Sequence, residues 1–325
     1  MSNILVTGGL GFIGSNFISK IIDKEDLVIN IDSETYASVD KLFLDFESNQ
    51  NYRHYNIDIS NYQNVNEVIK KYAFDIIFHF AAESHVDKSI ENSFEFCNTN
   101  VMGTLNLLES YSKLNKKNKL FIHVSTDEVY GSLKNDKTLF QESTKYDPKS
   151  PYAASKASSD HFVRAFSNTY SLPVIISNSS NNYGPYQYQE KLIPLCINNI
   201  INNKSLPVFG NGENIRDWIF VKDHIKAIDI IFHKGSLNES YNIGGLNEWR
   251  NIDLIKFLIK KVDKILGRNI GSSNKLITFV KDRPGHDFRY AIDPSKLKNE
   301  LGWAPISDFE TSIEETIKWY LNNQR

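Results

Sequence analysis

The sequence predicts an α/β protein, a doubly wound parallel sheet that carries a smaller α/β lobe. Three observations predict it. Short apolar runs alternate with amphipathic stretches through the first half, a glycine-rich turn joins the first pair, and near residue 181 the alternation yields to loops rich in Asn, Gly and Pro. Continuous apolar strands between helices need cover on both faces, which marks a parallel sheet. Right-handed crossovers then wind it in two directions.

The elements follow in order. Ile4-Leu5-Val6 reads as a strand, and Phe12, Ile13, Phe17, Ile18 and Ile21 recur behind it at helical spacing. Leu27 to Ile31 is a second strand, Tyr52 to Ile57 a third, Tyr62 to Tyr72 a helix, and Asp75 to Phe80 a fourth strand. A helix over Thr99 to Leu114 leads into a strand over Lys119 to Val124. Residues 1–180 are thus expected to form a dinucleotide-binding domain, with a return segment near 217–245. Residues 181–325 are expected to be mainly a substrate-binding lobe at the carboxyl edge of the sheet.

Composition narrows the classes. A hydrophobic fraction of 41% and a charged fraction of 23% are ordinary for a globular chain, so neither disorder nor a membrane-embedded body is expected. A formal charge of −2 provides no field to gather nucleic acid or an anionic membrane. Any anionic ligand must therefore meet a few placed cations. Cys97 and Cys196 fit no metal spacing, and no apolar run approaches the roughly 20 residues that span a bilayer. A cytoplasmic, metal-free protein is expected.

Gly8, Gly11 and Gly14 form G-x-x-G-x-x-G between the first strand and the first helix, which opens on Phe12 and Ile13. Such a turn lets backbone approach a pyrophosphate and aims a helix N-terminus at it. Asp32 ends the next strand 18 residues beyond Gly14, where a carboxylate accepts from ribose hydroxyls. It also repels a 2′-phosphate, and Ser33-Glu34-Thr35 offers no arginine, so the Rossmann-type site is expected to take NAD rather than NADP. Asp58 and Ile59 follow the third strand, placed either for adenine contact or as a helix N-cap region.

Tyr152 and Lys156 stand four apart, on one face of a helix with Cβ atoms about 6 Å apart. Lys156 is expected to lower the phenol's pKa, making Tyr152 a base near neutral pH, or to hold the nicotinamide ribose. Upstream, Ser125-Thr126 ends a strand and Asp127-Glu128 follows directly, two adjacent carboxyls. An arbitrary Asp-Glu pair is usually a solvated loop. Between a Ser-Thr strand end and Tyr-x-x-x-Lys, a paired acid and base is the better reading.

With these pieces the chain resembles the extended short-chain dehydrogenase/reductase family, and more closely its nucleotide-sugar 4,6-dehydratases. The resemblance runs through Ala81 to Asp87, Thr126 to Gly131, Ser180 to Pro185, Glu190 to Pro194, Asn214 to Trp218, Tyr241 to Gly245 and Asp282 to Asp287. It implies a hydro-lyase acting on dTDP-glucose or UDP-glucose in rhamnose-type deoxysugar biosynthesis. Tyr152 would take the 4-hydroxyl proton, Glu128 the C5 proton, Asp127 would protonate the departing C6 hydroxyl, and Thr126 would bond near O4. Asp127 should then have a raised pKa, from burial or from Glu128, and the two carboxyls should titrate together.

The resemblance also carries over Ala81, Ala82, Ser84, Thr99 and Asn182 as cofactor contacts. It carries Ser84, Asn181, Lys191, Leu192, Pro207, Val208, Phe209, Arg216 and Asn251, with Asp282, Arg283 and His286, as contacts to the nucleoside-diphosphate-glucose. Lys191, Arg216 and Arg283 make sense as diphosphate clamps. Where many family members carry arginine, this chain has Asn178. His79 and His85 read as local hydrogen-bonding groups. Relatives dimerise through the equivalents of the helices over Thr99 to Leu114 and Tyr152 to Tyr170. Here those helices are apolar on more than one face (Leu105, Leu108, Phe162, Val163, Phe166), so a homodimer is expected. Two alternatives stand: a nucleotide-sugar 4-epimerase or decarboxylase, which typically lacks the Asp127-Glu128 pair, and a non-enzymatic NAD-binding protein.

Overall fold

The computed structural model describes residues 2–24, 26–39 and 45–323. Its centre is a seven-stranded sheet built from β1 (Asn3–Thr7), β2 (Leu27–Asp32), β3 (Tyr52–Asn56), β4 (Ile76–His79), β5 (Leu120–Thr126), β6 (Val174–Ser179) and β10 (Ser240–Ile243). The order is β10-β6-β5-β4-β1-β2-β3, and each pairing is parallel. Winding reverses between β1 and β4, so the crevice at their carboxyl ends is where such a sheet takes its ligand.

Buried strands explain the apolar runs. Leu5, Ile29, Ile77 and Phe121 pack on one face with the helices Tyr62–Tyr72, Gly103–Ser112 and Pro151–Tyr170. Ile4, Val6, Val28 and Ile122 pack on the other, with the helices Phe12–Ile21 and Val221–Lys234. That second core runs on without a break into the lobe, through Ile193, Cys196, Leu254, Trp303 and Ile313. The helix expected over Thr99 to Leu114 starts earlier, at Ser93, and passes through a π-helical turn at Cys97–Met102.

The lobe holds two small sheets. β9 (Ile215–Phe220) lies between β11 (Glu248–Arg250) and β13 (Arg289–Tyr290) and also pairs β7 (Asn181–Tyr183). β8 (Leu206–Phe209) pairs β12 (Ile277–Val280) in parallel. These bring Arg216, Phe209 and the loop 282–286 towards the carboxyl end of the main sheet. Among the described residues no helix is long and apolar enough to cross a membrane, and no three His, Cys, Asp or Glu gather as for a metal.

The helices named for a homodimer keep most of their apolar residues for this chain. Leu108, Val163 and Phe166 are buried in its own core and Leu105 is half-buried against it, so these four speak for the core rather than for a partner. Phe162 does face outward, and beside it in sequence or on the neighbouring segment so do Ile90, Phe94, Met102 and Tyr170.

Candidate active site

Local sequence puts the two carboxyls at a strand end. β5 passes directly into one 3-10 turn, Asp127–Tyr130. Thr126 starts the turn, its hydroxyl accepting the Glu128 N–H at 3.3 Å as an N-cap does. Gly131 ends it at φ +88°, where an added Cβ would lie 2.4 Å from the Asp147 carbonyl oxygen. Asn178, on the next strand, donates from Nδ2 to the Thr126 carbonyl at 3.1 Å and steadies the same strand end.

The helix Pro151–Tyr170 faces this turn. Ser150 caps it, Oγ accepting the Ala153 N–H at 3.1 Å, and Pro151 fills a first-turn position whose N–H has no partner to lose. Tyr152 and Lys156 then line the same cavity as Thr126, Asp127 and Glu128. Its volume is about 700 Å³, within the range of a site for a sizeable ligand.

The far end of that cavity is the glycine turn, and its residues fit a dinucleotide. Gly8 has φ +72°, and an added Cβ there would lie 2.6 Å from the Ala81 backbone nitrogen; one at Gly14 would lie 2.2 Å from the Gly8 carbonyl oxygen. Gly11 puts no side-chain cap on the helix Phe12–Ile21, which leaves the first N–H groups for an anion. Asp32 supports the turn, accepting the Leu10 and Glu34 N–H groups at 2.9 Å each. Phe12, Ile13, Asp58 and Ile59 line the cavity with the three glycines and Asp32. Asp58 accepts the Ser60 N–H just before Asn61, which caps the helix Tyr62–Tyr72, so Asp58 and Ile59 lie in that N-cap region as well as along the cavity. Ala81, Ala82, Ser84, Thr99 and Asn182 line it too.

Burial sets the electrostatics. Asp127 is 2% exposed, and its Oδ2 has no hydrogen-bond partner. Burial first, then the charges of Glu128 and Asp217, hold its carboxyl well above the usual carboxylate range. Glu128 is raised as well, by burial and by Asp287, against the pull of Arg216, Lys191 and Arg283. The reading of Asp127 as a held acid therefore has its physical cause in place.

The reading of the tyrosine needs correction. Burial pushes the Tyr152 phenol up rather than down, and the Glu128 charge adds to this; the Thr126 side chain pulls the other way. Lys156 does not offset it, because its ammonium donates to the Val124 carbonyl at 2.9 Å. Burial brings Lys156 itself down to about 8, with Asp160 acting to raise it. Burial thus opposes ionisation of the Tyr152 phenol.

Of the substrate positions, Ser84, Thr126, Asn181 and Lys191 line the cavity, and Lys191 Nζ donates to the Ser84 carbonyl at 2.7 Å. Leu192, Pro207, Val208, Phe209, Arg216, Asn251, Asp282, Arg283 and His286 do not line it. Val208 turns its side chain into the core at 2% exposure, as alternation along β8 requires, and Leu192 packs on that core too. Arg216 donates to the carbonyls of Ile215 and Asp287 at 2.7 and 3.0 Å, and its guanidinium lies 4.3 Å from the Tyr290 ring centre. Arg283 stacks 5.0 Å from the Phe209 ring and pairs with Asp87; Asp282 pairs with His286 at 2.7 Å. Asn251 starts a helix with its Oδ1 buried and unpartnered.

His79 bonds Thr7 and Thr104 at 2.7 and 2.9 Å, and His85 caps the helix Val86–Glu91, both local roles as expected. Sequence reasoning missed Glu83, Tyr36 and Glu190, which also line the cavity, with the Tyr36 hydroxyl donating to Glu190 at 3.0 Å. Glu83 and Glu190 lie inside stretches already singled out, which was the available signal.

Comparison with known proteins agrees with this geometry. The chain matches the model of the family described as GDP-mannose 4,6 dehydratase over residues 5–316. It is 49% identical to a probable dTDP-glucose 4,6-dehydratase of Sinorhizobium fredii, over 98% of this chain and 93% of that one. It is 48% identical to a dTDP-glucose 4,6-dehydratase of Escherichia coli, over 99% and 94%. The solved structure of DesIV, a dTDP-glucose 4,6-dehydratase of Streptomyces venezuelae with NAD bound, superimposes at a TM-score of 0.92 with 39% identity, covering 99% of this chain and 98% of that one. Matched from end to end in sequence and in fold, this chain belongs to the nucleotide-sugar 4,6-dehydratase family of extended short-chain dehydrogenases/reductases.

Proposed function

We propose that this chain is an NAD-dependent dTDP-glucose 4,6-dehydratase that makes the 4-keto-6-deoxy nucleotide sugar for a rhamnose-type deoxysugar route. The observation that carries it is the buried, protonation-prone Asp127 beside the less buried Glu128, in one cavity with Tyr152, Lys156 and the glycine turn. The relatives bearing the dTDP-glucose name, at 45–49% identity, favour thymine over the uracil that the sequence left open. On this reading residues 1–180, with the return near 217–245, hold NAD, and most of 181–325 holds the nucleotide sugar.

NAD, held by Gly8, Gly11, Gly14, Asp32 and Lys156 along this cavity, would supply the hydride acceptor for C4 and the hydride donor for C6, with a proton returning to C5 as C6 is reduced. Tyr152, once its phenol has given up its proton to solvent, would take the 4-hydroxyl proton, a step that burial and the Glu128 charge oppose. The 4-ketone acidifies C5–H, and Glu128 removes that proton. Asp127, protonated, delivers its proton to the departing C6 hydroxyl, which leaves as water. Thr126 donates near O4, Lys191 meets the diphosphate from the cavity wall, and Arg216 and Arg283, outside that lining but close enough to bias Glu128, are the further cations available to it. An epimerase needs neither carboxyl, so the buried pair speaks against that alternative.

A homodimer fits the outward Phe94, Met102, Phe162 and Tyr170, and a cytoplasmic home fits two unpaired cysteines. Turnover of dTDP-glucose and UDP-glucose in deuterium oxide tests the activity. The expected product is 4-keto-6-deoxy with one deuterium at C5, formed at higher kcat/KM from the dTDP sugar. A C4 epimer that retains its C6 hydroxyl would overturn the assignment.

A further inference from the structure

One buried carboxylate lies behind the reacting groups and takes no part in the chemistry above. Asp160 is fully buried, one helical turn beyond Lys156 and two beyond Tyr152, on the same face of the helix Pro151–Tyr170. Its Oδ2 accepts the Ser125 hydroxyl at 3.0 Å and the Tyr146 hydroxyl at 2.8 Å. Its Oδ1 lies 3.2 Å from His123 Nε2. A carboxylate this deep is costly unless donors and a counter-charge compensate it. The donors are those hydroxyls, and His123 is not the counter-charge, since burial holds that imidazole down to about 4.

Lys156 has the converse problem. Lys156 is 4% exposed, and its ammonium donates to one neutral carbonyl, that of Val124. The titratable groups around it are His79 on β4, His123 on β5, and Tyr152 and Asp160 on its own helix. Both histidines are pushed down by burial and Tyr152 is pushed up, so all three are neutral near pH 7. Asp160 remains as the charged neighbour, and it stays ionised against its burial through His123, Lys156 and Tyr146. The two residues also grip adjacent positions of one strand: Lys156 holds Val124 and Asp160 holds Ser125, directly before Thr126, Asp127 and Glu128.

From this geometry we infer that Asp160 is a positioning residue of the active site: it is the buried counter-charge of Lys156 and, with it, fixes the end of β5 that presents Asp127 and Glu128 to the substrate. The inference rests on the proposed reaction for its meaning but not for its main test. Asp160→Asn keeps the shape and the acceptor for Ser125 while removing the charge. Without that charge the Lys156 ammonium loses its proton more easily.

The test titrates Lys156 in the NAD-loaded protein by NMR of 13Cε-labelled lysine, with Lys156→Arg to assign the signal. In Asp160→Asn the midpoint should fall by about one pH unit or more. The alkaline limb of kcat/KM for dTDP-glucose should move down by the same amount, while activity near pH 6 stays within about threefold of the parent, about 0.7 kcal/mol. Asp160→Glu, which retains the charge, should leave the midpoint near the parental value. An unmoved Lys156 midpoint in Asp160→Asn overturns the inference, as does activity lost equally at every pH with an unmoved limb. If Asp160→Asn does not fold, the parent protein still decides: a Lys156 already uncharged at pH 7 removes the need for a counter-charge and sinks the idea. Absence of dehydratase activity in the parent would sink the proposed function, while the lysine titration would still report on Asp160.

Discussion

Arg283 and Asp87 form a forked ion pair between residues 196 apart in sequence, Nη2 lying 2.8 Å from Oδ2 with Nε on the other oxygen. It ties the loop 282–286 to the helix Val86–Glu91, two segments that the sequence singled out separately. Arg283 is thus held in place by Asp87. Both partners are partly exposed, so the pair itself contributes at most about 1 kcal/mol of stability.

Arg283→Ala should therefore act on binding. The expected result is a KM for the nucleotide sugar raised by roughly tenfold, the loss of about one charge-assisted hydrogen bond, with kcat little changed. Steady-state kinetics beside a thermal melt check it. A large fall in Tm with an unchanged KM would assign the residue to packing instead.

Glu128→Gln separates the two halves of the reaction. The amide keeps the shape but cannot take the C5 proton, so C4 oxidation proceeds and NADH absorbance accumulates, while product formation falls by about 10²–10⁴. Normal turnover by this variant would remove Glu128 from its role.

Asp127 gives a pH dependence whose sign can be worked out. Its carboxyl is raised well above the ordinary value in the fold, by burial first and by Glu128 next. The native state thus binds the proton more tightly than the unfolded chain. The stability linked to it is fully present below the unfolded pKa and is lost as pH rises through the raised one. Asp127→Asn should then raise the Tm at pH 8 relative to the parent and lower kcat by about 10²–10⁴, since an amide cannot deliver the proton. A Tm lowered at pH 8 would mean that the carboxyl is ionised and bonded.

Gly14→Ala tests the cradle. The added methyl would meet the Gly8 carbonyl oxygen at 2.2 Å, a backbone contact that cannot swing aside. Purified protein should retain its secondary structure by circular dichroism but bind NAD at least about tenfold more weakly, because the turn must open to admit the methyl. Undiminished NAD binding by titration calorimetry would place the dinucleotide elsewhere.

Much of this was legible in the chain because the physics is local. Alternating apolar runs announced the parallel sheet, and the glycine spacing with Asp32 announced the nucleotide crevice. The cap residues Thr126 and Ser150 stand next to the groups they position, so a reader of the chain meets both together. The apolar helices left the dimer undecided: periodicity marks a face as apolar without saying whether its own sheet or a partner covers it. Leu108, Val163 and Phe166 turned out to face the sheet.

What the chain determined alone was the strand-end turn, the glycine turn and the helix face that carry the candidate groups, since each follows from neighbours within a few residues. Tertiary structure decided their charge states. Whether Tyr152 is phenol or phenolate, whether Asp127 keeps a proton, and which anion faces Lys156 depend on how deeply strands and helices bury them and which distant charges are brought near. Desolvation and Coulomb forces act through space, and spacing along a sequence does not encode that distance.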